Sequence, residues 1–252
     1  MHLILTGATG LVGSGVLDAM IKDASIAKIS ILSRRPVPMA DDARDPRIKV
    51  IIHNDFEQYD SSVLGQLKDA HGCVWALGIS QSKVTKDEYI KITKDYALAA
   101  ARAFSTLSTS EDRPFRFVYV SGEGATQEPG HFTATFARTK GETEVALAEM
   151  SNELRTMRAY SVRLGAVDAS QHDAIKKYIP DPGALYRAMG TFLYPVIRSL
   201  MPLGLSPTDI ASECLCKMAM GKLDDKLEGP GAVRNGLSWT LNNKAMRRVA
   251  GR

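Results

Sequence analysis

The chain has 252 residues, of which 44% are hydrophobic and 24% charged, and this composition predicts one medium-sized α/β domain whose core needs no metal. Its net charge of +4 comes from scattered basic residues without a nucleic-acid-binding signature, so we expect no nucleic-acid partner. Its three cysteines, Cys73, Cys214 and Cys216, give neither an even disulfide framework nor a zinc-binding spacing, which predicts buried structural thiols and a reducing, cytoplasmic compartment.

A glycine-rich turn follows the first predicted strand. The apolar residues 3–5 run directly into residues 6–13, which leaves no room for a secretory signal segment. Gly7 would allow a tight turn, Gly10 the approach of a pyrophosphate, and Gly13 the close packing of the next helix. Such a triplet can simply mark a turn, but its place after a strand favours anion binding at the helix start. The predicted cofactor contacts are Gly7, Thr9, Gly10, Leu11, Val12 and Gly13.

Two arginines end the second predicted strand. Apolar residues at helical spacing predict a helix over 11–22, and residues 29–32 form the next strand, which leads into Arg34 and Arg35. Dinucleotide-binding folds usually place an acidic residue here for the ribose 2′-hydroxyl, whereas guanidinium groups bind a 2′-phosphate. The pair therefore predicts NADP as cofactor and makes NAD the less favoured one. A solvated basic turn is the alternative.

The next two strands add further candidate contacts. Residues 48–53 are followed by Asp55, whose carboxylate could accept a hydrogen bond from the adenine amino group, or could equally serve in a loop or helix cap. Residues 72–78 form the fourth strand, and the cofactor is expected to pass close to its end. The predicted contacts there are Ala76, Leu77 and Gly78.

Helices and strands continue to alternate along the chain, with a long helix over 86–107, a strand over 115–120 and a helix over 134–154. This alternation predicts a doubly wound parallel sheet at 1–168, with a small substrate-side cap at 169–252. Ser206 is expected to cap a helix that stops at Gly221, and the basic tail 242–252 is expected to fray.

An apolar stretch lies inside the predicted cap, in the segment 172–205. Its residues 188–197 are too few to span a bilayer, so we expect no transmembrane segment. They suit a membrane-surface helix or a partner-docking face, and at least equally the lining of a pocket for an apolar or aromatic substrate.

Several of these motifs together resemble those of the atypical short-chain dehydrogenases/reductases, near the Tat-interacting-protein-like and nucleoside-diphosphate-sugar-epimerase-like groups. The resemblance covers about residues 1–168 and implies a Rossmann fold that binds NAD(P), in proteins that often form homodimers. It rests on residues 6–13, 32–35, 76–78, 95–98, 120–121, 140–144 and 162–165.

The resemblance also implies a catalytic Tyr and Lys, four residues apart, with a Ser at the end of the fifth strand. Here the Lys is Lys140, expected to contact the nicotinamide ribose, but the Tyr position holds Phe136, which has no exchangeable proton. Gly122 stands where the catalytic Ser is usual, but Ser121 is present one position early and is predicted to be a catalytic residue that binds the substrate.

The proline of the family's Arg-Pro-Gly turn is also replaced, by Leu164. The departures thus cluster at the reactive end of the cofactor. His131 or Glu123 could supply a proton instead, although both are also ordinary loop residues.

Two functions remain open. The first is an NADP-dependent oxidoreductase that acts on a small apolar carbonyl or hydroxyl compound with an altered proton donor. The second is a non-catalytic NADP(H)-binding regulatory or scaffold protein. Both require the adenine and phosphate end of the site, and only the reactive end distinguishes them.

Overall fold

The computed structural model describes residues 1–181 and 204–251. Within them, an eight-stranded sheet has the order β3-β2-β1-β4-β5-β6-β10-β9, and every neighbouring pair is parallel except β10 with β9. Its strands are β1 His2–Thr6, β2 Lys28–Ser33, β3 Ile48–Ile52, β4 Gly72–Trp75, β5 Phe115–Gly122, β6 Met157–Leu164, β9 Ala232–Asn235 and β10 Ser238–Leu241. Two short strands, β7 Ala166–Asp168 and β8 Leu205–Pro207, form a separate parallel pair.

The first six helices connect successive parallel strands, and the last two lie in the C-terminal region. They are α1 Leu11–Lys22, α2 Pro38–Ala43, α3 Ser61–Gln66, α4 Lys86–Ile90, α5 Tyr96–Ser105, α6 Thr135–Leu154, α7 Thr208–Ala219 and α8 Asn243–Val249. A π-helical turn, Lys91–Asp95, joins α4 to α5, so the long helix predicted over 86–107 is a continuous helical run with a wider turn in its middle.

The strand order confirms the predicted doubly wound fold. The chain leaves β1 toward β2 on one side and later returns to β4 on the other, so the order reverses at β1. In open parallel sheets, ligands bind outside the carboxyl ends of the strands at this switch point. The turns after β1, β2 and β4 therefore meet at the expected cofactor site.

The core lies on both faces of the sheet. Strands such as β1 and β4 are buried along their whole length, as their continuous apolar sequences predict for a parallel sheet. One core layer packs β1 and β2 against α1 and α7, and the other surrounds Trp75 and Phe117 beneath α5. The three cysteines are buried free thiols, and burial raises the pKa of Cys214 and of Cys216 to about 12.

The C-terminal region corrects two predictions. The tail is not frayed, because Asn242 caps α8 through its side chain and Ala245 and Met246 are fully buried. Ser206 does not cap α7: it lies in β8, where its hydroxyl accepts a hydrogen bond from the Gly165 amide (2.8 Å) and donates one to Asn243 (2.6 Å). β10 and β9 also extend the main sheet, so the C-terminal region does more than cover a substrate.

Residues 188–197, and most of the predicted cap, lie outside the described part of the chain. Across 1–181 and 204–251, no helix combines the length and the apolar character that crossing a membrane requires. The same ranges hold no cluster of side chains suited to a metal ion.

Candidate cofactor site and reactive end

The glycine turn brings three backbone segments into contact. Gly7 has a φ of +71°, a conformation that favours glycine, and a Cβ there would collide with the Ala76 carbonyl oxygen after β4. A Cβ at Gly13 would collide with the Gly7 carbonyl oxygen. Gly13 thus allows the start of α1 to lie directly against the turn that follows β1. The Gly10 amide closes the turn by donating to Gly7 (2.9 Å).

The start of α1 is open to an anion. Gly10 precedes the helix in an extended conformation, and no side chain caps the helix or places an acid in its first turn. The first backbone hydrogen bond within the helix runs from the Ser14 amide to the Gly10 carbonyl (2.9 Å). The amides of Leu11, Val12 and Gly13 come before this bond and have no carbonyl partner within the helix, so they face outward at the positive end of the helix dipole.

The two arginines border a cavity that starts at this turn. The cavity measures about 420 Å³ and is lined by Gly7, Thr9, Leu32, Ser33, Arg34, Arg35, Phe56 and Leu77. Arg35 donates to the Thr9 hydroxyl (3.2 Å), which fixes its guanidinium beside the phosphate turn. In the described ranges, Arg34 has no carboxylate within ion-pair distance. The cavity therefore offers donors at two points.

Asp55 is not brought into this cavity. Its carboxylate accepts a hydrogen bond from the Glu57 amide (2.9 Å) and lines a neighbouring cavity of about 570 Å³. Phe56, the next residue, lines the arginine cavity instead, and sequence reasoning missed it. The signal was an aromatic residue four positions after the end of β3. The adenine role of Asp55 stays a prediction.

β4 ends at Trp75, three residues before the predicted end at 78, and the residues after it lie beside the glycine turn. Ala76 abuts Gly7, and the Leu77 amide donates to the Thr6 hydroxyl (3.3 Å). Gly78 follows, and a Cβ there would meet nothing within 4 Å. This edge of the turn is therefore close at Ala76 and open at Gly78.

Lys140 is the cation of the reactive end. Its ammonium donates to the Val120 carbonyl at the end of β5 (2.9 Å) and stands 5.1 Å from the centre of the Tyr119 ring. Loss of hydration lowers the pKa of Lys140 to about 8, against the opposing attraction of Glu144.

Ser121 belongs to a buried network. Its hydroxyl donates to Glu144 (2.6 Å), which is only 1% exposed and also pairs with Arg163 through both carboxylate oxygens (2.9 and 2.6 Å). Gln127 donates to the same carboxylate (3.1 Å). The hydroxyl proton is therefore committed inside the core, which argues against the predicted substrate-binding role of Ser121.

Phe136 occupies the space beside Gly122. A Cβ added to Gly122 would lie 2.9 Å from Cζ of the Phe136 ring, and one added to Gly124 would lie 3.8 Å from Cε1. The Phe136 amide donates to Gln81 (3.0 Å), so the loop after β4 holds the start of α6. The two family positions that usually carry hydroxyl groups thus form an apolar contact.

The two alternative proton donors have different surroundings. His131 is exposed and makes no hydrogen bond or ion pair with the residues that the structure describes. Glu123 accepts a hydrogen bond from the Asn243 amide (2.6 Å) at the start of α8. The Glu123 carboxylate therefore has a structural partner, and the catalytic role of His131 stays a prediction.

Comparison with known proteins gives relatives among fungal biosynthesis proteins. No protein-family model matches the chain. It is 41% identical over 155 residues to botcinic acid biosynthesis cluster B protein 16 of Botryotinia fuckeliana, covering 62% of this chain and 98% of that protein. It is 37% identical over 217 residues to leucinostatins biosynthesis cluster protein T of Purpureocillium lilacinum, covering 79% and 77%. A more distant relative, 25% identical over 146 residues, is mitochondrial protein fmp52 of Aspergillus clavatus, with 57% and 58% covered.

Solved structures with the same fold include oxidoreductases. A short-chain dehydrogenase/reductase from Saccharomyces cerevisiae superposes with a TM-score of 0.65 at 15% identity, covering 99% of both chains. MoeE5, solved in complex with UDP-glucose and NAD, gives 0.63 at 13% identity, with 96% of this chain and 75% of that one covered. At these identities the likeness establishes the fold.

Proposed function

We propose that this chain is an NADP(H)-dependent oxidoreductase of the atypical short-chain dehydrogenase/reductase type, acting on a small apolar carbonyl or hydroxyl compound. Its motifs resemble those of that family, its fold is shared with a solved short-chain dehydrogenase/reductase, and it belongs with the two fungal biosynthesis-cluster proteins named above. The relatives that carry biosynthesis-cluster names support a substrate drawn from a biosynthetic pathway of that kind. We place the protein in the cytoplasm. The mitochondrial name of the fmp52 relative makes an organelle the alternative that fractionation would reveal.

The observation that carries the cofactor proposal is the shared cavity. One wall is the glycine turn with its outward amides, and the other holds Arg34 and Arg35 without a carboxylate among the lining residues. A pyrophosphate fits the first wall because a Cβ at Gly7 or Gly13 would collide with backbone, so the turn keeps amides instead of side chains at its surface. A 2′-phosphate fits the second because guanidinium groups bind phosphate through fixed donors.

The two ends of the cofactor site would have different roles. The glycine turn and arginines would hold the phosphates, and Lys140 would hold the nicotinamide ribose. The cofactor, when bound, would supply or accept the hydride. Phe136 and Gly122 would give the substrate an apolar wall without a hydroxyl group.

Calorimetric titration tests the cofactor proposal. The wild-type protein is titrated with NADPH and NADH, beside Arg34→Ala/Arg35→Ala and the charge-matched control Arg102→Ala/Arg113→Ala, whose residues are exposed elsewhere. We expect NADPH to bind more tightly than NADH, and the first double variant alone to lose about tenfold or more, since charged hydrogen bonds contribute about 1.5–3 kcal/mol each. Absence of binding by either nucleotide would refute the cofactor assignment.

A second function is favoured by the contact between Phe136 and Gly122. Since it removes both usual hydroxyl groups, the protein could bind NADP(H) to regulate or scaffold a partner without catalysis. This second function would be supported if the protein binds NADPH but does not oxidise it in the presence of any compound from a panel of ketones, aldehydes and dicarbonyls.

We also propose that the protein forms a homodimer, because the family that it resembles often does. Light scattering of the purified protein would test this.

A further inference from the structure

We propose that Lys140 is itself the proton donor of the reactive end, giving its proton to the substrate oxygen during carbonyl reduction and recovering one from solvent. This rests on the proposed oxidoreductase function. It assigns Lys140 a second task, beyond contact with the cofactor ribose.

The first argument is the incomplete pairing of the ammonium. Lys140 has three N–H groups, and the described residues supply one acceptor, the Val120 carbonyl. They place no carboxylate within ion-pair distance, because Glu144 is already bonded to Ser121, Arg163 and Gln127. A half-buried ammonium with spare donors is suited to a ligand oxygen.

The second argument is the surroundings of the other candidates. Phe136 and Gly122 carry no exchangeable side-chain proton, and the Ser121 proton is donated to Glu144. Glu123 accepts from the α8 amide, and His131 is exposed to solvent. Lys140 follows Phe136 by four residues, so both lie on the same face of α6, and its ammonium reaches the carboxyl end of β5.

The charged and titratable neighbours permit this ionisation. Among the described residues, Tyr119 faces Lys140 from β5, and burial raises the pKa of its phenol, which keeps it neutral. Glu144 lies on the same helix and is paired with Arg163, and its attraction only partly opposes the lowering of the Lys140 pKa. Loss of hydration brings the pKa of Lys140 to about 8, where an ammonium can release its proton near neutral pH.

The step balances without further reactants. The cofactor, when bound, would supply the hydride, that is, the two electrons and the hydrogen that the carbonyl carbon gains. The proton moves from Nζ of Lys140 to the carbonyl oxygen, so an N–H bond breaks and an O–H bond forms. The resulting neutral amine takes a proton from water, and the net consumption is one solvent proton per alcohol.

The test combines a chemical and a kinetic measurement. Competitive labelling with acetic anhydride across pH, read by peptide mass spectrometry, measures the ionisation of Lys140 beside exposed Lys86 in the cofactor-free protein. We expect the labelling midpoint of Lys140 near 8, below the value of about 10.4 that is ordinary for a lysine side chain. NADPH should protect Lys140 from the reagent.

The kinetic arm uses NADPH with 9,10-phenanthrenequinone and the carbonyl panel. Lys140→Arg keeps the positive charge but cannot release a proton. We expect it to retain NADPH binding and to lose about a hundredfold or more in kcat, while wild-type kcat falls above pH 8. Lys86→Arg, at an exposed lysine on α4, should match the wild type, and His131→Ala is measured beside it to compare the two candidate donors.

The outcomes separate the two proposals. Failure to bind NADPH would refute the proposed function itself. NADPH binding without any turnover, an ordinary labelling midpoint for Lys140, or unchanged kcat and pH profile in Lys140→Arg would each overturn the donor role while leaving the cofactor site standing. Loss of turnover in His131→Ala alone would assign the proton to His131 instead.

Discussion

Gly122→Ser tests whether Phe136 and Gly122 form a fitted pair. The new Cβ would stand 2.9 Å from Cζ of Phe136, whereas ordinary contacts of this kind measure 3.4–4 Å. Overpacking typically costs about 1–3 kcal/mol, and the lower end applies because Cζ is the tip of a ring that can rotate away. Gly122 lacks a positive φ, so no backbone strain is added. A loss of about 1 kcal/mol corresponds to about 2–4 °C in melting temperature for a chain of this size.

Thermal and urea denaturation of a double-mutant cycle measure this coupling. Gly122→Ser, Phe136→Ala and the double variant are compared with the control Gly65→Ser, where a Cβ would meet nothing within 4 Å. Phe136→Ala removes the colliding ring, so the serine should cost little in that background, with an interaction energy of about 0.5 kcal/mol or more. Equal effects of the serine in both backgrounds would refute the fitted pair.

Three further variants probe the rest of the described structure. Glu144→Gln breaks a buried ion pair and leaves Arg163 without its counter-charge, so urea denaturation should show a loss of about 3 kcal/mol; a neutral effect would contradict a structural role for the pair. Asn242→Ala should cost about 1 kcal/mol by uncapping α8, whereas no loss would mean that the tail frays after all. In nucleotide-free protein, Lys140→Met should raise the free energy of unfolding at pH 7. Between pH 8 and 10.5 the unfolded wild type binds the extra proton, so wild-type stability rises with pH and the advantage of the variant should fade; a constant difference would contradict the lowered pKa.

The cofactor end of the site could be predicted because its signals are local. The bounds of α1, Leu11–Lys22, agree with the apolar periodicity, and the glycine turn and Arg pair lie within a few residues of strand ends. The parallel strands were recognisable because burial on both faces leaves continuous apolar sequences. Strand order then brings the three turns together without further information.

The reactive end depends on partners that are distant in sequence. Ser121 was assigned to substrate because of its position, but its hydroxyl bonds to Glu144, 23 residues later. The tail was predicted to fray because it is basic, although the apolar positions of α8 face the core. The β9–β10 hairpin did carry a recognisable signal, Gly236, which is the first of the two residues in its turn and has a φ of +58°.

The two ends of the site are therefore constrained by different physics. The phosphate turn is fixed by backbone contacts that admit glycine alone, so it persists whatever chemistry follows. At the reactive end, the Phe136 ring lies where a side chain on residue 122 would project, so a serine there and the present ring position exclude one another. One apolar contact between Phe136 and Gly122 thus stands where the family usually carries two hydroxyl groups. That contact leaves Lys140 as the polar group at the end of β5 with hydrogen-bonding capacity to spare among the described residues.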